Sequence, residues 1–220
     1  MRRLAATCLV AALSLLLAAS IASARDPRLE RLRLNAADVA LAKRIALKRS
    51  DLGGSWQQVS VPASGDGEGL NCPNFNPDLS RFTITGEAST GFTQQTGASI
   101  LSAVEVYPSR AEAAGDFRTG ARPEVARCLR LVLERDLPQN GLLTFKVLSS
   151  RVVAAPRVGD RRIAYRLVAR LESLGTRVDL FLDVVVVQRG RSIAALFFTS
   201  PTKPLAGQAR LAAAVAARMR

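Results

Sequence analysis

The most regular pattern in the chain lies between residues 161 and 200, where three apolar stretches are separated by two short turns. In the first two stretches, apolar side chains alternate with charged ones at the period of two that is typical of a β-strand. The turns, at 174–175 and 189–190, each contain the glycine that tight hairpins favour. We therefore predict a three-stranded antiparallel meander at the centre of a sheet.

Charged residues within the meander predict its register. A two-residue loop at 174–175 places Arg170 opposite Asp179 and Arg166 opposite Asp183, with all four side chains on one face. Opposite charges that face each other across an antiparallel pair are mildly stabilising, and a slip of one residue would lose both pairs.

The last two strands of the meander predict how many layers the fold has. A loop at 189–190 would set Val186 opposite Ile193. The second face of these strands is also apolar, through Val185, Val187, Leu196 and Phe198. A strand that is apolar on both faces must be covered on both. The predicted fold class is therefore α/β (α+β), an α/β/α sandwich around an antiparallel sheet of about five to seven strands.

Capping signals place the remaining helices. Asn35 is a candidate N-cap for a helix over 36–49, and Ser109-x-x-Glu112 is a capping box that begins a helix ending near 119. Pro123 begins another helix that ends near 135. We predict an alanine-rich helix over 205–219 that buries Leu205, Ala209, Ala212, Ala216 and Met219. Further strands are predicted at 56–61, 82–92, 98–107 and 142–155.

The first 24 residues have the pattern of a signal peptide. Arg2 and Arg3 precede an apolar run at 9–19, and small residues at 22–24 form a signal peptidase site. Cleavage after Ala24 would leave an arm at 25–34 and a single domain at 35–220, in a secreted or extracytoplasmic protein. An uncleaved membrane anchor is the alternative, although the apolar run is short for a membrane span.

The chain is strongly basic, with a net charge of +13, and 27 of its 31 basic residues are arginine. The densest patch consists of Arg28, Arg31, Arg33, Arg44 and Arg49. Solvated faces and compositional bias explain such a charge, and peripheral contact with an anionic surface is the functional alternative. The sequence contains no nucleic-acid-binding module, so we expect no nucleic-acid partner.

Cysteine usage predicts a disulfide. Removal of the signal peptide would remove Cys8 and leave an even pair, Cys72 and Cys128, which in an exported chain is expected to be oxidised. Free thiols or a metal site are the alternatives, but the chain has no histidine and no CxxC motif.

The same lack of histidine limits the chemistry. It excludes Ser-His-Asp and Cys-His arrangements, and the chain has no GxSxG, no P-loop and no GxGxxG after a strand. We therefore predict no enzyme activity, no catalytic residue, no cofactor and no metal ligand. Glycines and acids at 63–69 leave a calcium loop as a remote alternative, and a hydrolase would need a carboxylate cluster inside a pocket.

Motifs spread along the chain resemble a known family. They are DLGGSW at 51–56, Cys72, VEVYPS at 104–109, the Ala111-x-x-Ala114-x-x-Phe117 spacing, RCL at 127–129, VGD at 158–160 and VVVVQRGR at 184–191. Together they look like exported actinobacterial PsbP-like domains, similar to the extracellular sensor domain of PknH-type kinases and related lipoproteins. The chain departs from that sensor domain in having one cysteine pair where the sensor has two.

The resemblance implies a PsbP-like sandwich that binds or senses without catalysis. We expect a small apolar or amphipathic ligand, or a cell-envelope component, to bind between the sheet and a helical layer of a monomer, at residues that remain unknown. The alternative is a basic protein that adheres to anionic envelope polymers or lipids.

Overall fold

A computed structural model describes residues 26–61, 72–136, 143–173, 176–201 and 203–219. The predicted signal peptide at 1–24 and the candidate calcium loop at 63–69 lie outside the described residues, as does the predicted turn at 174–175.

The described residues form nine strands, four α-helices and a short 3₁₀ helix at Arg49–Asp51. The strands are β1 (Arg31–Leu32), β2 (Gln57–Val59), β3 (Thr83–Ile84), β4 (Gly86–Thr93), β5 (Ser99–Val106), β6 (Leu143–Val153), β7 (Arg161–Ser173), β8 (Thr176–Arg189) and β9 (Ser192–Pro201). The helices are α1 (Ala36–Ile45), α2 (Arg110–Gly120), α3 (Glu124–Asp136) and α4 (Gln208–Arg218).

Seven strands form one antiparallel sheet in the order β2-β4-β5-β9-β8-β7-β6. The predicted meander is β7, β8 and β9, which lie side by side between the edge strand β6 and β5, with β9 in the middle of the sheet. Helices α1 and α4 pack on one face and α2 and α3 on the other. The α/β/α sandwich and the upper limit of the predicted strand number are therefore confirmed.

The predicted register is confirmed for one hairpin and wrong for the other. Arg170 pairs with Asp179, and Arg166 pairs with Asp183, as expected. Val186 pairs with Ala195 and not with Ile193, because the second turn lies one residue further along, where Gly190 has a φ of +57°. Glycine adopts this left-handed conformation at little cost. Moving the turn by one residue changes the partner of each β8 residue on β9 by two positions. Because side chains alternate between the two faces of a strand, the residues predicted to share a face still do so.

One face of the sheet, here called the sealed face, is closed by α1 and α4. Under these helices the side chains of β5, β9 and the end of β8 are almost completely buried: Ile100, Val104, Val185, Val187, Leu196 and Phe198. Trp56, the only tryptophan, packs into this core. Helix α4 buries Leu211 and Val215, whereas Ala209, predicted to be buried, is exposed.

The opposite face, here called the open face, is covered less completely by α2 and α3. Its side chains on β5 and β9 are only half-buried in the middle of the sheet: Leu101, Ala103, Ala195 and Phe197. Apolar side chains in the middle of a sheet normally lie under a helix or a second sheet. The gap in this layer is where the candidate functional site lies.

Both predicted N-caps are present, and Glu112 in the first turn of α2 also contacts β3. The Asn35 side chain accepts a hydrogen bond from the Asp38 amide at 2.9 Å, and Ser109 accepts one from the Glu112 amide at 3.2 Å. Glu112 Oε2 accepts from the Thr83 amide at 3.2 Å. Glu112 therefore ties α2 to β3, which pairs with β1 in a separate two-stranded sheet.

Candidate functional site

An apolar cavity of about 320 Å³ lies between the open face and α3. Leu129 and Leu133 of α3 form one wall, and Val59 and Val61 close the side next to β2. The floor consists of cross-strand neighbours on β4, β5, β9 and β8, namely Gly91, Leu101, Phe197 and Val184. Ligand sites are typically concave, mostly apolar and of this size or larger.

Small side chains explain why this part of the open face stays hollow. Gly91 has no side chain, and Ser99 and Thr199, paired across β5 and β9, are short. A Cβ atom at Gly91 would come within 2.5 Å of a Val61 methyl group. Glycine at this position therefore lets β2 and the residues that follow it, up to Val61, lie close to β4. The cavity is therefore a consequence of residue size on three neighbouring strands.

A second cavity of about 260 Å³ lies further along the open face, beneath α2 and the start of α3. The two cavities share a wall formed by Leu129, Val184 and Phe197. The second cavity differs in having carboxyl groups among its lining residues, Glu30, Glu105 and Asp116. We call these three residues the acidic cluster.

Tyr107 connects two members of the acidic cluster. Its hydroxyl oxygen lies 2.8 Å from Glu105 Oε2 and 2.6 Å from Asp116 Oδ2, and the side chain is completely buried. A phenol has one proton and donates it to one of the two carboxylates. The other short contact needs a proton on the carboxyl group itself. This geometry favours a cluster that retains a proton.

The ionisation of these groups agrees with the geometry. Burial, followed by the negative charges of Glu30 and Asp116, raises the pKa of the Glu105 carboxyl to about 8. Burial also raises the pKa of the Asp116 carboxyl and, most strongly, that of the Tyr107 phenol. Removal of water disfavours the charged form of each acid, and neighbouring carboxylates add to this effect.

Asp116 carries a polar atom that the fold leaves without a partner. The residue is only 6% exposed, and its Oδ1 atom has no hydrogen-bond partner among the described residues. Glu105 and Asp116 also have no arginine or lysine partner in the part of the chain that is described, although the protein has 31 basic residues. Such an arrangement is costly inside a protein and calls for an explanation.

Stability should respond to the proton on Glu105. A carboxyl whose pKa is higher in the folded state stabilises the fold below its unfolded value of 4.5, and this contribution is lost as the pH rises through about 8. We expect the free energy of unfolding to fall by on the order of 2 kcal/mol between pH 5 and pH 8.5.

Urea unfolding at several pH values, followed by Trp56 fluorescence, measures this dependence. Glu105→Gln should flatten it, whereas Glu87→Gln, which removes a charge from the residue paired with Glu105 on β4, should retain it. The range from pH 5 to pH 8.5 lies above the pH at which Asp38 becomes protonated, because Arg191 holds the pKa of the Asp38 carboxyl below its usual 3.8. An unchanged pH profile in Glu105→Gln would contradict the assignment.

The disulfide lies beside these cavities. Cys72 and Cys128 are joined, with their Cα atoms 5.6 Å apart. They pack with Phe75, Val125 and Tyr165 between α3 and the open face. The bond therefore holds the helix that roofs both cavities.

Intramolecular contacts engage several arginines of the predicted basic patch. Arg28 pairs with Asp26 at 2.6 Å, Arg31 donates to the Ser80 carbonyl, and Arg49 donates to the carbonyls of Gly53 and Gly54. The side chains of Arg31, Arg33, Arg44 and Arg49 remain exposed. Contact with an anionic surface stays a prediction.

The acidic cluster was not predicted from the sequence. Glu105 alternates with buried residues of β5, and Asp116 lies beside Phe117 on the buried side of α2. Charged residues at such positions are a usable signal, whereas nothing in the arm at 25–34 marks Glu30. The described residues include no group of three or more His, Cys, Asp or Glu side chains able to hold a metal ion.

No helix among the described residues is long and apolar enough to span a membrane. No family model matches the chain, and no curated protein matches it in sequence.

Comparison with solved structures finds similar mycobacterial chains. The extracellular domain of PknH from Mycobacterium tuberculosis is 12% identical with a TM-score of 0.49, covering 82% of this chain and 95% of that one. An uncharacterised protein from Mycobacterium smegmatis is 11% identical with a TM-score of 0.41, covering 83% and 97%. LpqN, involved in cell envelope biogenesis of Mycobacterium tuberculosis, is 9% identical with a TM-score of 0.31, covering 79% and 78%. The first is the type of domain that the sequence resembles, and none of these likenesses assigns a function here.

Proposed function

We propose that this protein is an extracytoplasmic, non-catalytic binding module that holds a small apolar or amphipathic ligand between its sheet and α3. The observation that carries this proposal is the apolar cavity of about 320 Å³ on the open face. A disulfide in a chain with a signal-peptide pattern supports a location outside the cytoplasm.

The contrast between the two faces supports ligand binding. The sealed face buries Ile100 and Phe198 almost completely, whereas their neighbours Leu101 and Phe197 on the open face line a cavity. The same strands therefore build a filled core on one side and a hollow on the other. An apolar ligand would gain about 25 cal/mol for each Å² of apolar surface removed from water.

Binding is better supported than hydrolysis, although the structure contains the carboxylate cluster that a hydrolase would need. In the larger cavity the lining side chains are mostly apolar. The polar ones are the hydroxyl side chains of Ser60, Ser99 and two threonines, and the carboxylate of Asp183. The Asp183 carboxylate is engaged by Arg166 at 2.6 Å. The acidic cluster lies in the neighbouring cavity and is bridged by Tyr107.

Leu182→Trp is expected to block the larger cavity. Leu182 lines it from β8, and the added indole volume would occupy the space of a ligand. The neutral fluorophore N-phenyl-1-naphthylamine should bind the wild type with increased emission, and its affinity should fall at least tenfold in Leu182→Trp. Phe181→Trp is the matched control, because Phe181 is adjacent on β8 and faces the other side of the sheet.

Equal probe binding by Leu182→Trp and the wild type would exclude this cavity as the site. Absence of probe binding to the wild type would contradict the proposal itself. Circular dichroism of each variant verifies that the sandwich remains folded, and native mass spectrometry of the protein from its host's culture medium would detect a bound natural ligand.

A further inference from the structure

We propose that the second cavity, with its acidic cluster, binds the positively charged end of an organic cation whose apolar body lies along the open face. This inference rests on the proposed binding function and specifies the class of ligand. Its basis is the position of three carboxyl groups at one end of an otherwise apolar surface.

The unpartnered Asp116 Oδ1 atom is the first argument. A buried carboxylate oxygen without a hydrogen bond loses its hydration and gains nothing in return. The side chain lines the second cavity, its Oδ2 atom lies 2.6 Å from the Tyr107 hydroxyl, and the Glu30 carboxyl also interacts with it, yet Oδ1 has no hydrogen-bond partner among the described residues. A donor that enters the cavity is the missing partner, and an ammonium or guanidinium group donates several hydrogen bonds.

Charge is the second argument. Three carboxyl groups line one small cavity, yet Glu105 and Asp116 have no cationic side chain beside them within the described ranges. The described carboxylates Asp38, Asp51 and Asp183 each have an arginine within 2.9 Å. In a protein with a net charge of +13, we assign the cation that would face Glu105 and Asp116 to a ligand.

The walls of the cavity indicate an organic cation. They include the aromatic rings of Phe117, Tyr165 and Phe197 together with aliphatic side chains such as Ile193. Cations that bear alkyl groups are attracted to aromatic faces, and their hydrocarbon parts gain from leaving water. A hydrated metal ion would gain nothing from such walls.

The arrangement along the sheet indicates an amphipathic shape. Leu101 in the larger cavity and Glu105 in the second lie four residues apart on β5, which corresponds to about 13 Å along the strand. Ala103 and Ala195 are paired between them, and their small side chains leave room above the sheet. A ligand with its charge at Asp116 would extend its chain toward Phe197 and Leu101.

Displacement of N-phenyl-1-naphthylamine by decylamine, decan-1-ol and decanoate tests this inference, because these probes differ mainly in the head group. At pH 7 the wild type is expected to bind decylamine at least tenfold more tightly than decanol, and decanoate less tightly than decanol. Asp116→Asn should reduce the preference for the amine to threefold or less and leave decanol binding unchanged. Glu87→Gln is the matched control, since Glu87 is paired with Glu105 but does not line the cavity.

Each other result has a definite meaning. Equal binding of amine and alcohol by the wild type would overturn the inference and leave the proposed function standing. A preference for the amine that persists in Asp116→Asn would also overturn the inference, because the ammonium group would then bind at another site. If Asp116→Asn does not fold, the wild type at pH 4 must show the same loss of preference, because protonation neutralises the carboxyl groups while decylamine stays charged, and failure to do so counts against the inference. Binding of none of the probes would contradict the proposed function.

Discussion

Replacement of both Cys72 and Cys128 by alanine is expected to lower the free energy of unfolding by about 4 kcal/mol, the largest single effect in this protein. The two residues are 56 positions apart, so the bond removes much conformational freedom from the unfolded chain. This chain-entropy value is an upper one, because residual structure in the unfolded chain already restricts its freedom. Urea unfolding of the wild type and the double variant, followed by Trp56 fluorescence, measures the difference.

Reduction of the wild type with dithiothreitol is the matched control, since it breaks the same bond without changing the side chains. The two treatments should lower stability by similar amounts. Because the bond fixes α3 over the open face, both should also weaken binding of N-phenyl-1-naphthylamine. A double variant as stable as the oxidised wild type would show that the bond does not restrict the unfolded chain as expected.

Arg166→Met is expected to cost about 3 kcal/mol, the second largest effect. Arg166 is the partner of Asp183, whose side chain is 3% exposed, at a distance of 2.6 Å. Among the described residues, removal of the guanidinium leaves a buried carboxylate with the Gln208 side-chain amide, at 2.5 Å, as its one side-chain partner. An unpaired buried charge is far more costly than a missing surface contact.

The same two strands supply the control. Arg170 and Asp179 form a pair of equal geometry at 2.7 Å, but the Asp179 side chain is 39% exposed. Arg170→Met should therefore cost much less than Arg166→Met, because solvent screens the exposed pair. The double variant Arg166→Met/Asp183→Asn should recover part of the stability that Arg166→Met loses, because a neutral amide is less costly to bury than a charge. Equal losses for Arg166→Met and Arg170→Met would show that burial does not decide the strength of these pairs.

Much of the fold was accessible from the sequence because short-range rules govern it. Alternation and opposite charges predicted the β7–β8 register to the residue, and Asn35 and Ser109 marked the starts of their helices. The second hairpin was placed one residue early, since both 189–190 and 190–191 contain Gly190 and local sequence does not distinguish them. Ala209 was assigned to the buried stripe of a helix that in fact begins three residues later than predicted.

The binding surface was predicted only in outline. A ligand site between the sheet and a helical layer follows from a sheet that is apolar on both faces, but its residues did not follow. The cavities depend on Gly91, Ser99 and Ala195, whose small size is meaningful only beside the neighbours that leave the space unfilled. Sequence spacing does not show which strands become neighbours, and these residues come from β4, β5 and β9.

Periodicity and residue count were enough to predict the layers of the sandwich, the meander with its facing charges, and a single cysteine pair. Packing between distant elements makes one face sealed and the other hollow, and it brings Glu30, Glu105 and Asp116 into one cavity. Those three carboxyl groups lie on the arm, on β5 and on α2. The raised pKa values of Glu105 and Asp116 arise from burial and mutual distance, which exist only in the folded chain.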